Sequence, residues 1–171
     1  MILGVDVAYA ESTAFAAGVC FDDWSDAAPS HELVLRIDDA EPYVPGEFYR
    51  RELPCILAVL DAAPSRPDVI VVDGYVWLDD RRPGLGARLH DASGGIVVIG
   101  VAKTKFGDAS SAAPLLRGSS ATPLFVSAAG IELDEAAAHI GAMHGPHRIP
   151  SLLRRVDQLC RAAQRLHNRP R

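Results

Sequence analysis

Asp6 interrupts the apolar run ILGVDV of residues 2–7, and Asp73 closes a second run, VIVV, directly ahead of Gly74. An unpaired charge inside a buried strand is costly, so each carboxylate needs a partner. Glu52 raises the same question. If a helix starts near Gly46, then Phe48, Glu52, Cys55, Ile56 and Val59 share one face and the glutamate falls inside the apolar stripe. Pro54 is tolerated in a first turn, and a later helix start places Glu52 at its mouth instead. Asp157 lies beside the stripe of Leu152, Val156, Leu159, Ala163 and Leu166, and reads equally as a solvent-facing acid among arginines or as a member of the group. Taken alone, Asp73–Gly74 is a turn signal. Taken together, three or four carboxylates repel one another unless a cation sits between them. Oxygen ligands without clustered His or Cys suit Mg²⁺ or Mn²⁺ rather than zinc, and such an ion activates water and neutralises charge developing on a phosphodiester. Asp6, Glu52 and Asp73 are the expected metal ligands, with Glu52 holding either the metal or the attacking water.

Strands are expected at residues 2–9, 13–21, 32–37, 69–73, 95–102 and 123–127, and helices at 46–63, 84–92, 132–143 and 151–166. Three strands in series, then helix and strand in alternation, predict an α/β fold. Its mixed sheet joins an antiparallel run of three strands to a parallel set, flanked by helices. The continuous apolar runs at 69–72 and 96–101 call for helices on both faces of the sheet. Open α/β sheets place their chemistry at the carboxyl ends of the strands, where Asp73 and Lys103 fall. Asp6 joins them if its strand lies beside theirs.

At 171 residues a single domain spanning 1–171 is expected, large enough to bury a real core. No stretch approaches the roughly 20 apolar residues of a membrane span, and the chain starts in a strand-like segment rather than a signal peptide. Cys20, Cys55 and Cys160 are odd in number and widely spaced. They read as small core hydrophobes in a reducing cytoplasm rather than as a disulfide framework or a zinc site. The net charge of −5 is not that of a protein coating nucleic acid indiscriminately. Residues 148–171 nevertheless hold seven arginines against one acid, Asp157. Such a face is either a solvated charged helix or a surface for phosphate.

Several segments, in order along nearly the whole chain, resemble the endonuclease V family, whose fold is RNase H-like. They are GVDVAY (4–9), PYVPGEFYRRELP (42–54), VVDG (71–74), VVIGVAKTKF (97–106), TPLFVSAAG (122–130) and HRIPSLLRRVD (147–157). The resemblance implies that Asp6 and Asp73 bind Mg²⁺, that Glu52 is the catalytic glutamate, that Lys103 faces a phosphate and that Asp157 completes the cluster. It implies cleavage of DNA or RNA near a deaminated base such as inosine, leaving a 3′-hydroxyl and a 5′-phosphate. The family's Pro-Tyr wedge that separates strands would fall on Pro42 and Tyr43, with Val44, Pro45, Gly74 and Lys103 also at the nucleic acid. Tyr43 would then stack on a base, a contact worth about 1–3 kcal/mol; from the residues alone it reads as a core or loop aromatic.

The chain departs from the family in three places. The loop YVWLDDRRPGLGARL (75–89) puts Tyr75 and Trp77 where smaller or polar residues are expected, with Asp79 and Asp80 after them. The family's Ser-Pro-Gly-His becomes SAAG, and a helical extension before the first strand is absent. The expectation is therefore retained metal-dependent phosphodiester chemistry with inosine preference weakened by bulky rings in the base pocket. The alternatives are a non-catalytic nucleic-acid-binding or regulatory protein on the same scaffold, or an RNase H-like nuclease for another substrate.

Overall fold

The computed structural model describes residues 1–42, 44–79, 82–107 and 111–168. Its elements are β1 (Ile2–Ala10), β2 (Thr13–Phe21), β3 (His31–Ile37), α1 (Phe48–Ala62), β4 (Val69–Asp73), α2 (Leu85–Ala92), β5 (Val97–Ala102), β6 (Ala113–Leu115), β7 (Leu124–Ala129), α3 (Leu133–Ala142) and α4 (Ser151–His167). Among the described residues the strands form one seven-stranded sheet in the order β3-β2-β1-β4-β5-β7-β6. The β1–β2 and β2–β3 pairs are antiparallel, while β1–β4 and β4–β5 are parallel. This is the expected mixed α/β sheet. One short strand, β6, lies outside the expected set. Three residues with Pro114 at their centre carry little strand signal, and they pair only at the sheet edge, where proline is tolerated.

Side chains of a strand alternate between its faces, and here each face has its own helices. Leu3, Val5, Ile70, Val72 and Val98 pack with Cys55, Ile56 and Val59 of α1 and Leu89 of α2. Ile2, Val71, Ile99 and Val101 pack with Ile140 of α3 and with Leu152, Val156 and Cys160 of α4. Both faces being covered explains why β4 and β5 are apolar throughout. The three cysteines are buried and free. No helix among the described residues is long and apolar enough to cross a membrane.

Helix α1 follows the first of its two expected readings, and α4 differs from the pattern expected of it. Helix α1 starts at Phe48 despite Pro54, which lies inside it and leaves the Arg50 carbonyl without its helical donor. Glu52 therefore sits within the helix on the buried face, not at its mouth. On α4 the buried line is Leu152, Val156 and Cys160, and Leu166 is 65% exposed. The helix is rotated from the expected stripe, and Arg155 fixes it to the sheet with two hydrogen bonds to Glu32 of β3, at 2.7 and 2.8 Å.

Close approach around β5 depends on Gly100. A Cβ there would lie 2.5 Å from the Gly74 carbonyl oxygen and 2.9 Å from Ser127 Oγ, and that hydroxyl accepts the Val76 N–H at 2.9 Å. The segment leaving Asp73 is thus laid directly over the glycine. Gly100→Ala should lower stability by about 1–3 kcal/mol, the usual cost of overpacking, read as an earlier urea midpoint. An unchanged midpoint would show that the segment after Asp73 moves aside freely.

Candidate functional site

The parallel register pairs Val5 with Val72 and Asp73 with Val101, so Asp6 and Asp73 leave β1 and β4 side by side. By alternation both belong to the face covered by α4. They open into a cavity of about 130 Å³ whose apolar walls include Val5, Val72 and Val101 from the sheet and Leu153 and Val156 from α4. Its polar groups are Asp6, Asp73, Lys103, Arg154 and Asp157. A second cavity, of about 290 Å³, continues past Asp157 along Tyr9, Cys160, Arg161 and Gln164.

Each acid is differently held. Asp6 Oδ1 accepts the Val7 N–H at 2.9 Å, and its Oδ2 lies 3.8 Å from the Cys160 thiol. Burial, with the charge of Asp73 added, pushes the Asp6 carboxyl up to about 6. Asp73 pairs with the Lys103 ammonium. Burial alone would lower the lysine, but this ion pair outweighs it and the net shift is upward. Asp157 accepts Arg161 Nε at 2.6 Å.

Glu52 stands apart. It is 6% exposed, its Oε2 is buried without a hydrogen-bond partner, and burial followed by repulsion from Asp6 and Asp73 pushes its carboxyl up to about 9. The neighbouring Arg51 offsets this only in part, since its guanidinium lies 3.7 Å over the Tyr9 ring and donates to the Glu11 carbonyl.

Asp6, Asp73, Lys103 and Asp157 therefore share one cavity. Glu52 reaches the same strand ends from α1, on the other face of the sheet, and does not line that cavity. As the side chains stand, no three His, Cys, Asp or Glu among the described residues converge tightly enough to chelate an ion. Asp73 and Asp157 are each turned toward a cation of their own.

Tyr43, Asp80 and Arg81 lie outside the described residues. Pro42, Val44 and Pro45 are exposed just ahead of α1. The rings expected to crowd a base pocket are both hydrogen-bonded to main-chain groups. Trp77 donates its indole N–H to the Ala128 carbonyl of β7 at 3.1 Å and packs on the core. Tyr75 donates to the Thr104 carbonyl at 2.9 Å and accepts the Phe106 N–H at 3.1 Å. Neither lines the carboxylate cavity. Two further polar neighbours join the site beyond those the sequence pattern singles out: Arg154, and the Cys160 thiol against Asp6. Arg154 is legible in principle, because it lies three residues before Asp157 and so shares its side of a helix.

The sequence model of the Endonuclease V family matches residues 1–158. Endonuclease V of Streptomyces avermitilis is 39% identical over 185 aligned residues, covering 95% of this chain and 80% of that protein. The Streptomyces coelicolor endonuclease V is 36% identical, covering 96% and 79%. Among solved structures, the S. avermitilis enzyme aligns with a TM-score of 0.79 at 36% identity, covering 98% of this chain and 82% of its own. Ciona intestinalis endonuclease V, crystallised with a 24mer DNA containing an inosine followed by a ribo-adenosine, has the same TM-score of 0.79 at 19% identity, covering 98% and 86%. At that identity the likeness is one of fold. With the family model matching most of its length and relatives at 36–39% identity covered over about four fifths of theirs, the chain belongs to the endonuclease V family.

Proposed function

We propose that this protein is a divalent-metal-dependent endonuclease, hydrolysing a phosphodiester bond of DNA or RNA near a deaminated base. One observation carries this: Asp6 and Asp73 emerge side by side, with Lys103 and Asp157, into one cavity at the carboxyl end of the sheet. Family membership makes nucleic acid the partner and hydrolysis the reaction.

The donor set fits Mg²⁺ or Mn²⁺. Asp6 and Asp73 offer hard oxygens, and Glu52 Oε2 is a buried acceptor with no partner in the protein. Glu52 and Asp6 are both pushed toward their protonated forms by burial and by the other acids, the opposite of what a nearby cation does. Asp6, Glu52 and Asp73 would hold the ion, with Asp157 beside them. The chemistry supplied by such an ion when bound is activation of a water and neutralisation of charge developing on the phosphate. Lys103 steadies the phosphate, and Arg154, at the same cavity, adds a planar donor suited to phosphate oxygens. Apolar side chains of the sheet and α4 wall the cavity, while Asp73 and Lys103 stay open to solvent. Pro42 and Tyr43, ahead of the helix that carries Glu52, are assigned to the strand-separating wedge, and Val44, Pro45 and Gly74 to contact with the nucleic acid. The engaged positions of Tyr75 and Trp77 leave the family's deaminated-base preference as the substrate choice to test.

Ion binding has a pH signature. The folded protein keeps a proton on Asp6 up to about 6, against an ordinary value of 3.8, and on Glu52 up to about 9, against 4.5. It therefore binds more protons than the unfolded chain between these limits, so ion-free stability falls as pH rises through that window. Ligation needs the carboxylates ionised. Mn²⁺ should accordingly raise the melting temperature more at about pH 8 than at about pH 5.5, and Asp73→Asn should remove the shift. A shift that ignores pH, or survives the substitution, places the ion elsewhere.

Activity is tested on matched DNA and RNA strands, with and without one inosine, in Mg²⁺ or Mn²⁺. Cutting confined to the inosine strands and lost in Asp6→Ala is the expected result. Equal cutting of plain strands would remove the base preference while leaving the nuclease. No cutting of any strand would favour the non-catalytic protein.

A further inference from the structure

We propose that Arg148 is the positioning residue for Lys103, with the buried Arg117 holding Arg148 in place; this rests on the phosphate-facing role of Lys103 proposed above. The β5–β7 ladder ends at the pair Ala102–Phe125, so Lys103 lies one residue beyond the last register position. The opposing chain cannot extend the ladder through Pro123, which has no N–H. A side chain takes over at that point. One terminal nitrogen of the Arg148 guanidinium donates to the Lys103 carbonyl and, at 2.7 Å, to the Pro123 carbonyl. It bridges the two strands just where their own hydrogen bonding stops. Tyr75 takes the next carbonyl, that of Thr104, so the backbone around the lysine is held from two sides.

Arg148 belongs to the loop between α3 and α4, and that loop is itself gripped. Arg117 is 7% exposed and donates to the carbonyl oxygens of Met143, Gly145, His147 and Arg148. No carboxylate among the described residues pairs with it. Next to it Gly118, at φ +60°, has no Cβ and so admits the Pro146 carbonyl, which would clash with one. A buried guanidinium satisfied by four carbonyls is an expensive way to close a surface loop, but it fixes that loop's backbone in one geometry. Arg148 Nε is also buried without a partner, so this residue too is costly where it stands. Both costs go into a rigid path from the loop to the backbone of Lys103, whose ammonium meets Asp73 at the cavity.

A double-mutant cycle separates positioning from general support. Arg148→Lys, in which a flexible point donor replaces a planar fork, should lower kcat by about 10–100-fold, the scale of a misplacement near 1 Å. KM should change far less. In a Lys103→Ala background the same substitution should cost no more than about twofold, because residues acting through one another are not additive. Equal losses in both backgrounds would overturn the proposal and make Arg148 a structural residue. Arg148→Gln, smaller and neutral, repeats the cycle if the lysine variant folds poorly; failure of both to fold would likewise overturn it. The cycle is also run on the Kd for an oligonucleotide, so a protein that binds strands without cutting them still decides between the two roles. Wild-type protein that neither cuts nor binds fails the nuclease function itself, and this proposal falls with it.

Discussion

Two aspartates are forced together at the edge of a dry layer because β1 and β4 run parallel with Val5 opposite Val72, one residue before each acid. Like charges there repel strongly, and the protein answers in three ways. Lys103 takes up Asp73, Arg161 takes up Asp157, and Glu52 is driven toward its neutral form. The acids are thus balanced by contacts within the protein, which the proposed ion would have to exchange. The absence of a tight chelating triad among the described residues is the expected counterpart of that balance.

Much of this is legible in the chain. Strands β2 and β4 fall at their expected limits because each is a run of small, β-branched or aromatic residues bounded by turn-formers. The aspartate positions follow from the same runs. Less visible are features decided by distant partners. Helix α1 carries Pro54 internally because packing of Cys55, Ile56 and Val59 outweighs one lost hydrogen bond. The rotation of α4 depends on which face the sheet offers, and no periodicity of the helix alone contains that. Strand β6 exists only because β7 gives it an edge.

Side-chain direction beyond the strands is the hardest quantity to read. Tyr75 and Trp77 read as bulky rings, and the sequence does not show that each carries a polar handle that finds a main-chain carbonyl, in the 104–106 segment and on β7 respectively. Arg117 and Arg148 look like ordinary basic residues, since nothing local announces a guanidinium that will be enclosed by carbonyls more than twenty residues away.

Glu52 comes from the helix layer opposite the one that walls in Asp6, Asp73 and Asp157, and feels the charge of Asp6 and Asp73 from there. The complete set of acids therefore exists only when both layers are docked. A folding intermediate with either pair of helices still detached lacks a member of the set, as does a chain emerging from the ribosome before residue 157. The hydrolytic centre proposed above is in this way tied to the docking of both helix layers, and a half-folded molecule lacks it.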